Sequence, residues 1–166
     1  KKMGIKFKEA MKKSSMEKRQ TYLGAYYEKH LLFWLDFPFT LKWIDHELGY
    51  GLFARRDIPK KSFIGEYTGL VRKYRFFQDQ KNAYCFEYMI GDKSKTPYTI
   101  DARDLGNFTR FINHHSNPNL EPLSVYSRGL MHLVLCAKKE IKKGQELTYD
   151  YGPNYWARRE EPQKRG

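Results

Sequence analysis

Apolar positions along this chain follow two different periods. In the first third, Met3, Phe7, Ala10 and Met11 fall at helical spacing, and Leu23, Tyr27, Leu31 and Trp34 continue one face. Ser14 with Glu17 gives a capping-box pattern, and Pro38 ends the helical stretch. From residue 40 the period shortens to that of strands. The runs "TLKWID", "YGLFAR", "SFIGEYTG", "YCFEYMI", "PYTIDA", "LMHLVLCA" and "ELTYDY" are separated by Gly, Pro, Asn and Lys turns. A further helix is expected around residues 73–82. The architecture predicted is mainly β with flanking helices, an α+β fold. It divides into a basic helical segment over 1–39, a β-rich domain over 40–152, and a short cysteine-free tail over 153–166. Two turns resemble each other: "ARRDIPKK" (54–61) and "AKKEIKKG" (137–144) both run Ala, two cations, an acid, Ile, then a basic turn. They hint at two similar strand–turn–strand units.

The 166 residues suffice for one domain with a real core. No apolar run approaches the ~18 residues of a membrane span, so no membrane partner is expected. Cys85 and Cys136 are the only cysteines, which excludes a disulfide framework and a Cys-rich zinc site and makes a cytoplasmic setting the default. The chain starts with Lys rather than Met, as a trimmed chain would. Charge is uneven: residues 1–43 carry a net +6, residues 44–123 a net +2 and residues 124–166 a net +4. Basic flanks around a nearly balanced middle suit contact with DNA, although solvated lysines give the same count.

Candidate chemistry gathers in a few stretches. "RFINHHSNPN" (110–119) crowds Asn113, His114, His115, Ser116, Asn117 and Asn119 into one loop, where such side chains bond their own backbone and Pro118 restrains Asn117. "GYG" sets Gly49 and Gly51 around Tyr50, which permits a close backbone approach, or simply a turn. "GEYTG" and "YCFEY" place Tyr67 and Tyr84 in strands, where a core role is the plain alternative. In "ELTYDYGPNYW", Tyr149 and Tyr151 flank Asp150 and share one side of an extended chain, with Tyr155 and Trp156 following. No second ligand cluster accompanies the two histidines, so no metal is expected.

Taken in order, "GYG", "EYTG", "YCF", "IDA…GN…RFINHHSNPN" and "ELTYDYG" resemble the SET-domain family of protein lysine methyltransferases, from about Gly49 to Gly152. The resemblance implies a SET fold of small curved sheets with a C-terminal pseudoknot, the Asn-His loop marking the crossing. It implies S-adenosyl-L-methionine as cofactor. Asn113 and His114 would hold its adenine, Gly49, Tyr50, Gly51, Tyr84 and Arg110 would complete the pocket, and Trp156 would lie over the adenine. Tyr67, Tyr149 and Tyr151 would wall the lysine channel, with Tyr151 the catalytic tyrosine. The chemistry agrees with the residues. Only about one lysine in 2,500 is neutral at pH 7, and an aromatic, poorly hydrated channel disfavours the ammonium.

Many family members read "NHSC" where this chain reads "NHHS", and that Cys joins a zinc with a Cys-rich segment after the core. Here both are missing, which resembles the minimal, zinc-free type of bacteria and viruses. The expected activity is protein-lysine N-methylation of basic tails on histones or histone-like proteins, mono- to di-methylating, with DNA contact through the basic flanks. The alternative is a catalytically weak SET-like module that binds a lysine peptide or DNA. A bacterial-effector reading would add secretion into a host cell and a nuclear destination.

Overall fold

The computed structural model describes residues 18–33, 37–90 and 94–157. Among the described residues, helix α1 (Lys18–Phe33) is followed by ten strands, two single-turn α-helices and one 3-10 turn (Phe108–Phe111). The expected capping box at Ser14 and Glu17, and Trp34, lie outside the described residues.

Helix α1 is bound to the β domain by its predicted face. Tyr27 is buried against Phe63, with ring centroids 5.8 Å apart, and Leu23 and Leu31 pack onto the same cluster as Val125, Val134 and Cys136. Gly24 sets how closely the helix approaches. A Cβ there would lie 1.7 Å from the Tyr126 carbonyl oxygen, so any side chain would push the helix away. The sheet beneath consists of β3 (Phe63–Glu66), β9 (Leu130–Ala137) and β8 (Leu120–Ser127), in the order β3-β9-β8 and antiparallel throughout. Arg128 and Gly129 close the β8–β9 hairpin, both at positive φ, as a two-residue turn matched to strand twist requires.

A second antiparallel sheet, β4-β6-β5, comprises β4 (Leu70–Lys73), β6 (Ser94–Asp101) and β5 (Cys85–Ile90), which leaves β5 on the edge. Between β4 and β5 the expected helix shrinks to one turn, α2 (Phe76–Asp79). Its place is fixed by Arg72, whose guanidinium reaches Asp79 at 2.5 Å and Asp101 at 2.7 Å, while the Asn82 amide donates to Asp101 at 2.8 Å.

The third unit is the β1–β2 hairpin (Phe39–Asp45 and Gly49–Ala54). Asp45 accepts the Glu47 and Leu48 N–H groups, and Gly49 takes φ +71° to turn the chain. The two similar basic turns then meet. Ile58 and Ile141 exchange backbone hydrogen bonds of 2.8 and 2.9 Å, and both are buried in the central core with Leu52, Ile64, Leu135 and Leu147. The pair of alike units hinted at by the sequence is thus a face-to-face pairing.

The chain ends by crossing itself. Leu147 N–H donates to Leu52 O at 2.7 Å, and β10 (Thr148–Tyr149) then runs parallel to β7 (Asn113–His114). Segment 146–149 therefore lies between β2 and the Asn-His loop. Helix α3 (Pro153–Trp156) follows as a single turn.

Candidate active site

Four Asn-His-loop side chains organise the crossing. The Asn113 amide donates to Glu146 Oε1 at 2.8 Å and to Tyr50 O at 3.3 Å, which joins β7 to β2 and to the segment that leads into β10. Asn119 bridges the same segment, donating to Glu146 O and accepting from Thr148 N–H at 2.7 and 2.9 Å. His115 accepts from Asn117 N–H through Nδ1, and His114 Nδ1 accepts from Tyr151 N–H at 3.2 Å. The polar density of "NHHSNPN" thus serves to fix a loop along which another strand runs. Gly51 is part of this knot: a Cβ would lie 2.8 Å from Glu146 Oε1 and 3.0 Å from Asn113 Nδ2.

Around the loop the aromatic rings form an arc. Ring centroids run Tyr67–Phe86 5.3 Å, Phe86–Tyr149 5.9 Å, Tyr149–Tyr151 4.7 Å and Tyr151–Tyr155 4.6 Å. Trp156 closes it, 4.8 Å from Tyr155, 4.8 Å from His114, and parallel to Tyr151 within 8°. The hydroxyls are oriented by backbone. Tyr151 donates to Ile112 O at 2.8 Å and Tyr67 to Tyr84 O at 3.0 Å. Burial, with neighbouring tyrosines second for Tyr149 and Tyr151 and Cys85 for Tyr67, pushes all three phenols well above the usual range. They stay protonated at any working pH. None can act as a general base, and the Tyr67 and Tyr151 oxygens are fixed in direction by their backbone acceptors.

Of the expected pocket residues, Tyr50, Tyr84 and Arg110 gather around Phe111. Arg110 donates to Ala102 O and Arg103 O, lies 4.7 Å over Phe111 and 5.8 Å over Tyr84, and Phe111 touches the Tyr50 ring at 6.0 Å. Gly49 stands apart, as the hairpin's turning residue. Asn113 differs in one respect from the expectation, because its amide nitrogen is committed to protein acceptors. Two buried donors near this corner, Arg110 Nε and Trp156 Nε1, have no hydrogen-bond partner. An acceptor-rich adenosyl group fits that need. Among the described residues no three His, Cys, Asp or Glu side chains could hold a metal, and no helix is long and apolar enough to cross a membrane.

Sequence reasoning gave no role to Phe86 or Glu146, and named Asn119 only as one of the crowded loop side chains. Phe86 was visible in "YCF" yet carries the ring contact between Tyr67 and Tyr149. Glu146 and Asn119 gain their roles only from the crossing, for which no local pattern exists.

A small β-rich domain whose C-terminal strand runs beside an Asn-His loop and brings tyrosines to it defines the SET class. The SET-domain family model matches residues 49–152, more than half of the chain, and the protein belongs to that family. It is similar to human histone-lysine N-methyltransferase EHMT1, 33% identical over 115 residues, covering 66% of this chain and 9% of that protein. The Drosophila melanogaster histone-lysine N-methyltransferase Set8 is 40% identical over 113 residues, covering 63% of this chain and 16% of that protein. Among solved structures, KRYPTONITE in complex with mCHH DNA, H3(1-15) peptide and SAH aligns with a TM-score of 0.60 and 36% identity, over 72% of this chain and 24% of that one. The chain thus spans a quarter or less of each of these relatives.

Proposed function

We propose that this chain is a protein-lysine N-methyltransferase that takes its methyl group from S-adenosyl-L-methionine. The observation that carries the reading is the aromatic arc around Tyr151, with its protonated, backbone-oriented hydroxyls. Family membership and the histone-lysine methyltransferases among the relatives support it. When bound, the cofactor supplies an electrophilic methyl on a cationic sulfur. His114, Trp156, Tyr50 and Arg110 would hold it, with the Trp156 and Arg110 donors that now lack partners turned to its acceptors.

The chain's own groups do the remainder. Tyr67, Phe86, Tyr149 and Tyr151 exclude water from the incoming lysine, so the ammonium loses hydration and the neutral amine becomes accessible. The proton leaves to solvent, because no phenol here can take it. Tyr151 spends its O–H on Ile112 O, so its oxygen lone pairs face the amine and the transferring methyl as acceptors. In-line alignment is therefore the main contribution of the site.

The substrate fits as a basic peptide. Strand β5 is an edge of its sheet, and its Glu87 carboxylate accepts from Asn154 of α3 at 3.2 Å, so an acid lies at the rim. Such an edge accepts an extended chain by strand addition. Histone or histone-like tails have the required charge, and the peptide held by KRYPTONITE is of that kind. Mono- to di-methylation follows from the tyrosine at 149, whose hydroxyl crowds the space a larger methylammonium needs. The zinc-free, minimal type and the DNA contact through the basic flanks, residues 1–43 and 124–166, belong to the same reading.

Incubation with isotopically labelled S-adenosylmethionine and a histone panel, followed by mass spectrometry, tests it. Lysine-specific label on a basic tail is the expected result. Peptide binding without any transfer, under saturating cofactor, would replace the enzyme with a binding module.

A further inference from the structure

Glu66 closes strand β3 and is tied to three other parts of the fold. Its carboxylate meets His132 Nδ1 of β9 at 2.7 Å. Its carbonyl oxygen accepts the Asn107 amide at 2.8 Å and the Thr109 hydroxyl at 3.3 Å. Asn107 caps the 3-10 turn, accepting the Thr109 N–H at 3.1 Å, and that turn carries Arg110 and Phe111 of the cofactor corner. The residue after Glu66 is Tyr67, whose N–H donates to Leu133 O at 2.7 Å and whose ring is buried at the start of the aromatic arc. One strand end therefore joins an imidazole, the turn at the cofactor corner and the channel wall.

The carboxylate–imidazole contact is open to protons. A groove of about 210 Å³, lined by residues of both three-stranded sheets, includes Glu66, Thr68, Val71, Ile100, Leu130 and His132. The side chains of His132 and Glu66 keep 19% and 28% of their surface exposed. Glu66 raises the imidazole above its ordinary range, burial opposes it, and the Ser127 backbone adds to the rise. Val125, opposite His132 on β8, carries no charge. Tyr88 senses Glu66 from β5 and donates its hydroxyl to Met131 O at 2.8 Å. Glu28 of α1 is paired with Arg128 at the hairpin tip, at 2.9 Å. Glu66 is the group that decides this titration.

We propose that His132 is a positioning residue, which acts through Glu66 to hold the Tyr67 wall and the Asn107–Phe111 turn, and holds them most firmly while its ring carries a proton. An imidazolium makes a charge-assisted hydrogen bond to a carboxylate, roughly twice as strong as a neutral one. Once the ring is neutral, the half-buried carboxylate keeps its charge without a counter-charge, and turning toward solvent becomes favourable. Strand β3 has four residues and a register irregularity between Phe63 and Gly65, so its end depends on such side-chain ties. The sign follows from the raised imidazole: order is complete below the ordinary value of 6.5 and declines as pH rises through the folded one.

His132 reaches the site only through its partner. It shares a face of β9 with Val134 and Cys136, which pack under α1, while Met131 and Leu133 point into the cluster that holds Tyr67. The coupling from His132 to Tyr67 and the turn is a property of the folded chain. Its consequence for transfer rests on the methyltransferase reading.

The full chain, labelled with nitrogen-15, is titrated by NMR from about pH 5.5 to 8.5, following the His132 ring and the Tyr67, Asn107 and Thr109 amides. All should move together, with one midpoint above 6.5. Glu66→Gln should lower that midpoint. His132→Gln keeps a donor without a titration and should abolish the transition at the three amides. In parallel, single-turnover methyl transfer to a basic peptide at pH 7 should fall ~5- to 10-fold in His132→Ala and return to within about twofold of wild type in His132→Gln. The wild-type rate divided by the His132→Gln rate should decline from about pH 6 to 8.5, a ratio that cancels deprotonation of the substrate lysine. Amides that do not follow the ring would overturn the proposal, and so would an unmoved midpoint in Glu66→Gln or a wild-type rate in His132→Ala. If His132→Ala loses its dispersed spectrum, Glu66→Gln and His132→Gln decide the matter alone. Coupled titration in a chain that methylates no basic peptide would uphold the coupling and sink the methyltransferase reading instead.

Discussion

Replacing Tyr151 by Phe removes one oxygen and leaves a ring that other rings hold on three sides. The ring is 4.7 Å from Tyr149, 4.6 Å from Tyr155 and parallel to Trp156, so packing is retained. What disappears is the 2.8 Å hydrogen bond to Ile112 O. Leaving that carbonyl without its donor costs about 1–2 kcal/mol. For a chain of this size that lowers the melting temperature by about 3–6 °C, well short of unfolding at assay temperature. The catalytic loss is larger. Without a fixed oxygen to direct the amine, turnover should fall at least ~100-fold, or about 3 kcal/mol. The assay is single-turnover transfer of labelled methyl to a single-lysine peptide, with calorimetry on S-adenosylhomocysteine beside it. Cofactor affinity should stay within about threefold, since the change removes only transition-state contacts. Turnover within about threefold of wild type would refute the role given to this hydroxyl. So would a parallel loss of cofactor binding, which would make the residue a scaffold.

Asn113→Ala cuts the contacts to Tyr50 O and Glu146, so stability should drop by about 1–3 kcal/mol and cofactor affinity with it, read by thermal melts and calorimetry. Unchanged values for both would contradict the knot. Tyr149→Phe should shift product from mono-methyl toward di- and tri-methyl in mass-spectrometric time courses, because the hydroxyl and its water no longer fill the channel. Efficient trimethylation by the unmutated protein would show that something else sets the limit. Arg72 holds the Asp79 carboxyl below the usual carboxylate range, and Asp101 is lowered by Arg72 and Asn82 against its burial. Depressed acids contribute stability above their unfolded value near 4, and it is lost as pH falls through the folded values. Arg72→Met should cost about 3–5 kcal/mol at pH 7 and regain stability as pH falls toward 5, a range over which these two acids leave the wild type flat. Urea melts at both pH values decide it.

Much of this molecule was legible before folding, for definite reasons. Leu23, Tyr27 and Leu31 mark the docked face of α1, since a single apolar stripe on a helix has one use. The strands with alternating or continuous apolar residues stood out as well. Strand β8, "LEPLSVYS", did not. Pro122, Glu121 and Ser124 interrupt its pattern, and one of its faces is covered by a helix rather than by a sheet. Strand β4 escaped because four residues, Leu70 to Lys73, carry too little period. At the site, the expected wall residues Tyr67, Tyr149 and Tyr151 lie along one aromatic arc with Phe86 between the first two. Glu146 was not legible, because its meaning depends on a partner 33 residues away.

The close seat of α1 at Gly24 bears on where this protein can be cut. The family's own span begins at residue 49, and a chain trimmed to it would lack the helix that covers Phe63, Val125, Val134 and Cys136. Those side chains would then form an apolar sheet face open to water, next to exposed strand edges. Such a fragment would keep Tyr67, Tyr149 and Tyr151 but lose Tyr155 and Trp156, and it would also tend to self-associate. The span shared with the family and the unit that folds here differ by helix α1 and strand β1 on one side and helix α3 on the other, and expression of this protein should respect the second.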